Sequence, residues 1–139
     1  KKQSLRRSLF KYVKEKNITC IVATHDKDDV LSYSDTMIVL HESKIIANNT
    51  PRHLYNTPED KLIASFFAEF NTIEGEIVYA NQLKMVEKSD LKAVVKQSYY
   101  KGYYFLIEAE LNCEKVFFEH FETLKIGQEV SLSIEKDNL

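Results

Sequence analysis

The prediction of the fold starts from residues 19–26, which read TCIVATHD. A short run of apolar and mostly β-branched residues ends there in a polar His-Asp pair. Such a run is too short for a helix and is typical of a strand that is buried on both faces of a parallel sheet. Ligands of open α/β sheets bind just beyond the carboxyl ends of the strands. The position therefore indicates His25 as a candidate functional residue.

The segments on either side of this strand complete the pattern of an α/β unit. Residues 4–16 place apolar side chains at helical spacing, with basic side chains on the other side, which predicts an amphipathic helix. The predicted strand at 18–24 follows almost at once, and a second helix is predicted at 27–33. Two short strands, 37–41 and 44–47, would then form a hairpin. The order indicates the last αβ unit of a parallel sheet.

The pattern of apolar residues changes from helical spacing to strand spacing partway along the chain. Two more helices are predicted, at 52–56 after Pro51 and at 59–69, and residues 71–74 indicate a boundary. Beyond it the apolar period changes from 3.6 to 2, and we predict short strands at 76–79, 91–97, 103–111, 115–118 and 130–134.

The last of these strands has the cleanest alternation, with Val130, Leu132 and Ile134 predicted to point inward. About five short strands in so few residues are typical of a small barrel of the oligonucleotide/oligosaccharide-binding (OB) type, or of a sandwich. The predicted domains are therefore residues 1–70 and residues 71–139.

Charge and cysteine content narrow the classes of function. The 139 residues carry a formal net charge of −2, and residues 71–139 contain no Arg, so that half is a poor surface for nucleic acid. The two cysteines, Cys20 and Cys113, lie far apart, which favours a reducing cytosol, and Cys20 is expected to pack inside the strand. No apolar run approaches the length of a membrane span. Because the chain starts inside a predicted helix and without Met, we expect a piece of a longer protein.

Five segments in the right order resemble the ATP-binding subunit of an ABC importer. They cover essentially the whole chain and comprise ATHD with DTMIVL at 23–40, TPRHLYNTP at 50–58, ASFFAEFN at 64–71, the strand region 99–111 with Gly102, and LKIGQEVSLSI at 124–134. The resemblance implies the end of a P-loop ATPase core, an α/β remnant with helices packed on short strands. A small all-β, OB-like barrel of the transport-associated kind would follow it.

The same resemblance implies a catalytic role for His25. No nucleotide is expected to bind to this chain alone. His25 matches the switch histidine that contacts the γ-phosphate and helps to hold the attacking water. The sequence contains no phosphate loop, no signature segment and no strand that ends in Asp-Glu, so we expect it to be inactive alone. ATP and Mg²⁺ would belong to the intact subunit, and the catalytic carboxylate would lie upstream of Lys1.

The resemblance further implies the partners and the location of the intact subunit. They are a second copy of the ATPase subunit, forming a homodimer, and transmembrane permease subunits, with no nucleic acid. The subunit would be cytoplasmic and peripheral on the inner face of the cell membrane. The resemblance does not name the transported solute.

Several alternatives remain open at this point. Asp26 is expected to cap the helix that follows it, and His41, His53 and His120 have no spacing typical of metal ligands. The aromatic residues from 99 to 105 could stack on bases, although core or subunit-interface packing is favoured, and the same core packing is expected of Phe121. A different class of function is a stand-alone small-ligand-binding or regulatory barrel without ATPase activity. Single-stranded nucleic-acid binding is disfavoured because residues 71–139 carry 8 Lys and 12 Asp or Glu, a net charge of −4.

Overall fold

The computed structural model describes residues 2–136 as two compact units, which divide between Thr57 and Pro58. The first unit contains α1 (Lys2–Glu15), α2 (Lys27–Tyr33), β1 (Met37–His41), β2 (Lys44–Asn49) and α3 (Pro51–Asn56). The second contains α4 (Lys61–Phe67), β3 (Phe70–Ile73), β4 (Glu76–Tyr79), a 3-10 turn (Ala80–Gln82), β5 (Leu83–Val86), β6 (Leu91–Tyr100), β7 (Phe105–Leu111), β8 (Glu114–His120) and β9 (Glu129–Ile134).

In the first unit, helix caps and a hairpin turn lie where the sequence predicts helices and a hairpin. Asp26 caps α2, and Thr50 caps α3 with Pro51 in its first turn, where the missing N–H of proline has no cost. The two-residue turn Glu42-Ser43 closes the β1–β2 hairpin with positive φ angles of 48° and 63°. A turn of this kind matches the right-handed twist of the strands, and here it forms without glycine.

The prediction of a buried strand at residues 18–24 is wrong. No strand among residues 2–136 pairs with this segment, and its apolar side chains are exposed, Ile21 by 93% and Val22 by 50%. Cys20, which was expected to pack inside the strand, is exposed as well. The physical reason is that a strand is defined by the ladder to its neighbours. The segment has the composition of a central strand but no ladder on either edge.

The apolar face of α1 is likewise uncovered. The helix forms as predicted, yet none of its residues is buried, and Leu5 is 72% exposed. One aromatic contact joins it to the next helix, because the rings of Phe10 and Tyr33 stack with their centroids 4.6 Å apart. The amphipathic pattern therefore determines the helix but not what covers it.

The second unit is built on a five-stranded antiparallel sheet with the order β5-β9-β6-β7-β8. Its two edge strands, β5 and β8, approach each other to within 8 Å between Cα atoms, so the sheet curls toward a small barrel. A separate hairpin of β3 and β4 packs beside it. The antiparallel sheet confirms the predicted small barrel in coarse terms, while the OB type stays a prediction.

The core of this unit is formed by side chains that alternate along the strands. Twelve buried residues make it up, namely Ile73, Val78, Leu83, Ala93, Val95, Ile107, Ala109, Leu111, Val116, Phe118, Val130 and Leu132. The inward positions predicted for Val130 and Leu132 are confirmed. The inward position predicted for Ile134 is wrong, because its residue is 38% exposed; it pairs with Leu83 of β5, while β6 reaches only as far as Leu132.

Some boundaries differ from the sequence prediction. The helix predicted at 59–69 is shorter, since Asp60 caps it and Ala68 is already extended. Two strands were not predicted: β3 crosses the predicted boundary at 71–74, and β5 is only four residues long. The division between Thr57 and Pro58 places α4 with the barrel unit, whereas the domain boundary after residue 70 stays a prediction.

Within residues 2–136, every helix is too short or too polar to cross a membrane.

Candidate functional site

His25 lies in a bend between the unpaired segment 18–24 and the first turn of α2, and its side chain is exposed. The residue that follows fixes the start of the helix. Asp26 has extended backbone angles, φ −96° and ψ 110°, and its Oδ1 accepts a hydrogen bond from the backbone N–H of Asp28 at 2.9 Å. The prediction that Asp26 is a helix cap is confirmed.

A ring of hydrogen bonds includes the residues on both sides of His25. Nη1 of Arg6, on α1, donates to Oδ2 of Asp26 at 3.2 Å and to Oδ1 of Asp29 at 2.9 Å. The hydroxyl of Thr24 donates to the other oxygen of Asp29 at 3.4 Å and accepts from the backbone N–H of Asp26 at 3.0 Å. Both chain neighbours of His25 are therefore members of the ring.

The electrostatics of the ring favour the charged form of Asp26. The pKa of Asp26 lies below its ordinary value, chiefly because the backbone N–H of Asp28 donates to the carboxylate. Burial opposes this effect, and the hydrogen bond and positive charge of Arg6 reinforce it. Asp29 is buried, with only 11% of its side chain exposed, and such a charge requires a partner, which Arg6 provides.

The chemistry that this arrangement can perform is limited to positioning. The carboxylates of Asp26 and Asp29 are already ion-paired, and the Thr24 hydroxyl is already hydrogen-bonded, so none of them is available as a general base. The exposed imidazole of His25 has one nitrogen that can donate and one that can accept when neutral. It could contact an oxyanion such as a phosphate from a fixed backbone.

The other histidines do not form a site. His41 ends β1, with Nε2 at 3.8 Å from a carboxylate oxygen of Glu42, His53 lies on α3, and His120 ends β8 with its ring 4.7 Å from that of Phe121. No group of three or more His, Cys, Asp or Glu side chains in the described part of the chain is placed to hold a metal ion.

The aromatic residues after position 98 lie mostly at the surface of the barrel unit. Tyr100 and Tyr103 are 72% and 87% exposed, so core packing is the wrong prediction for both, and it is also wrong for Phe121, at 74%. Tyr99 donates a hydrogen bond to Glu108 at 3.1 Å, which raises the pKa of its phenol. Packing at a subunit interface stays a prediction for this surface.

Sequence reasoning missed Arg6 and Asp29. Arg6 appears in the pattern only as one of several basic residues on the polar side of α1, and Asp29 only as one of two acidic residues in the first turn of α2. Their pairing joins positions 23 residues apart. A distance of that kind leaves no local signal in the sequence.

Several relatives of this chain share one description. No protein-family model matches the chain. A spermidine/putrescine import ATP-binding protein PotA of Clostridioides difficile is 24% identical over 169 residues, which cover 99% of this chain and 49% of the relative. The proteins of the same description from Bacillus thuringiensis and Trichodesmium erythraeum are each 28% identical, over 90% and 72% of this chain. The chain spans about half, or less, of the length of these curated relatives.

Proposed function

We propose that this chain, which is homologous to the ATP-binding subunits of ABC importers, forms the C-terminal part of such a subunit, with His25 as its γ-phosphate contact. The single observation that carries the proposal is the extent of the similarity, which covers 99% of the chain and hence residues of both compact units. A relationship confined to one unit would instead favour a shared module.

The residues of this chain fit only one part of a nucleotide site. Its three glycines all lie in turns or loops of the barrel unit, at positive φ angles from 82° to 97°, so none belongs to a phosphate-binding loop. The described residues also offer no cluster of carboxylates for Mg²⁺. ATP and Mg²⁺ would be held by other parts of the subunit, and this chain alone would be inactive.

His25 would act by positioning and by stabilising charge. Phosphoryl transfer requires little covalent chemistry from the protein, so a donor that is held at the γ-phosphate contributes through its geometry. The ring of hydrogen bonds supports this role because it joins Thr24 and Asp26, the two chain neighbours of His25. The exposed apolar residues of segment 18–24 are compatible with strand pairing inside a complete ATPase core.

The intact subunit would couple ATP hydrolysis to solute uptake. Its partners would be a second copy of the ATPase and transmembrane permease subunits, and it would be cytoplasmic and peripheral on the inner face of the membrane. Spermidine and putrescine are the candidate solutes, because the relatives carry those names. The barrel unit would follow the ATPase core as the OB-like, transport-associated domain.

The first experiment is to sequence the gene region immediately upstream of the codon for Lys1. A phosphate loop, a signature segment and a strand ending in Asp-Glu in the same reading frame are the expected result. A start codon at or near Lys1 would contradict the proposal and would favour the stand-alone binding module.

The second experiment tests His25 in the intact subunit. His25→Ala is expected to lower kcat for ATP hydrolysis by about 100-fold or more, the cost of removing a transition-state donor. ATP binding should change little, because the phosphate loop is untouched. His53→Ala, which alters another exposed histidine, is the matched control and should be neutral. A kcat for ATP hydrolysis by His25→Ala within about twofold of wild type would contradict the role proposed for His25.

A further inference from the structure

The ion pairs of Arg6 are unusual because one nitrogen serves two carboxylates. Nη1 lies 3.2 Å from Asp26 and 2.9 Å from Asp29, so a single group on α1 holds the cap of α2 and the carboxylate one turn further on. The side chain of Arg6 is only 34% exposed. Partly buried, charge-assisted hydrogen bonds of this length are stronger than those between neutral groups.

Four hydrogen bonds connect Arg6 with Thr24 and Asp26, the two residues on either side of His25. Arg6 fixes Asp26 directly, and it fixes Asp29, which in turn accepts from Thr24 at 3.4 Å. Thr24 accepts from the N–H of Asp26 at 3.0 Å and closes the ring. His25 is the residue between Thr24 and Asp26, which this ring joins directly by a hydrogen bond.

We propose that Arg6 is the positioning residue of His25, and that it holds the backbone at His25 in place through Asp26, Asp29 and Thr24 without touching the nucleotide. The inference rests on the proposed function for its catalytic consequence, while the positioning itself is a property of this chain. Because Arg6 lies on α1, the position of His25 would depend on the position of α1.

A purely structural role for Arg6 can be separated from this one. The stacked rings of Phe10 and Tyr33 join α1 to α2 independently of the ion pairs, so loss of Arg6 should leave the two helices in contact. Because both hydrogen bonds come from one nitrogen, a lysine ammonium can replace them. Arg6→Lys is therefore the conservative variant that should rescue the function of Arg6→Ala.

The direct test is the backbone mobility of the 139-residue chain, measured by ¹⁵N relaxation. In wild type the amides of His25 and Asp26 should have order parameters near 0.85, and in Arg6→Ala they should fall below about 0.6. Arg6→Lys should stay close to wild type. Arg7→Ala, which removes a neighbouring arginine with no ion-pair partner among residues 2–136, should have no effect.

A second variant distinguishes the loss of the ion pair from unfolding of α1. Asp29→Asn leaves every residue of α1 in place and weakens the bond to Arg6, so it should also mobilise His25. Unchanged order parameters in Arg6→Ala overturn the proposal. Mobility in Arg6→Ala that accompanies unfolding of α1, with a rigid His25 in Asp29→Asn, overturns it as well.

The catalytic consequence is measured in the intact subunit. Arg6→Ala should lower kcat by about 10- to 100-fold, the cost of a misplaced catalytic group, with ATP affinity within about twofold and with rescue by Arg6→Lys. An inactive His25→Ala together with a wild-type kcat in Arg6→Ala overturns the inference and leaves the proposed function intact. An active His25→Ala overturns the proposed function. The order parameters then test only whether Arg6 positions His25.

Discussion

The side chain of Asn71 replaces a segment of strand ladder in the barrel unit, and its removal should be costly. Its Nδ2 donates to the carbonyl of Phe117 at 2.7 Å, and its Oδ1 accepts from the N–H of the same residue at 2.7 Å. Asn71 is only 4% exposed. The amide therefore satisfies both backbone groups of one residue of β8, an edge strand of the sheet that residues 2–136 form.

The magnitude follows from the two groups that Asn71→Ala would leave unpaired. Each hydrogen bond contributes about 0.5 to 1.5 kcal/mol net, and each partly buried backbone group left without a partner costs about 1 to 3 kcal/mol. Since Phe117 is only partly buried, water can reach it to some extent. We expect Asn71→Ala to lower the free energy of unfolding of this unit by about 2 to 4 kcal/mol.

Amide hydrogen exchange of the core residues Ile107 and Phe118 measures this free energy within the barrel unit of the whole chain. Their exchange rates should rise by about 30- to 1000-fold in Asn71→Ala. Thr72→Ala, which alters the exposed neighbour on β3, is the matched control and should change the free energy by less than about 0.5 kcal/mol. An increase below about fivefold in Asn71→Ala would refute the reasoning that the amide completes the ladder.

Two further predictions concern titrating groups. Because the pKa of Asp26 is lowered in the fold, its contribution to stability is present above about pH 4 and is lost as the pH falls through the folded pKa. Arg6→Ala should raise that pKa only part of the way, since the N–H of Asp28 still donates; ¹³C NMR of the carboxyl carbon measures it, and an unchanged pKa would contradict the ion pair. The pKa of Tyr99 is raised by its bond to Glu108, so its contribution is present below about pH 10 and is lost as the pH rises through the folded pKa. Glu108→Gln should lower the Tyr99 pKa in an NMR titration of the ring, and no change would refute that cause.

The elements that depend on neighbours in sequence were predictable. Helix caps at Asp26 and Thr50 need only the next two or three residues, and the turn at Glu42-Ser43 needs only the two strands that it joins. The alternation of Val130 and Leu132 identifies the inner face of β9 in the same way. In such features the interacting residues lie within one turn or one hairpin of each other. The local sequence is therefore sufficient to predict them.

The role of His25 stays a prediction, and the residues that hold its chain neighbours were not predictable from the sequence. His25 was found because a polar residue follows an apolar run, a signal that is local. Arg6 was missed because its two partners lie 20 and 23 residues away, and nothing in an amphipathic helix distinguishes the basic residue that will pair from those that remain solvated. Only the packing of α1 against α2 makes that choice.

The sequence by itself determined where apolar side chains recur, which segments can be helix or strand, and that His25 stands at a strand-like end. The tertiary structure alone decided whether those segments find partners. Segment 18–24 has the composition of a central strand and remains unpaired, whereas β3 and β5, with weaker patterns, are strands because a neighbour completes their ladders. The physical reason is that β-structure is stabilised by hydrogen bonds and side-chain pairs between segments distant in sequence, which no single segment encodes.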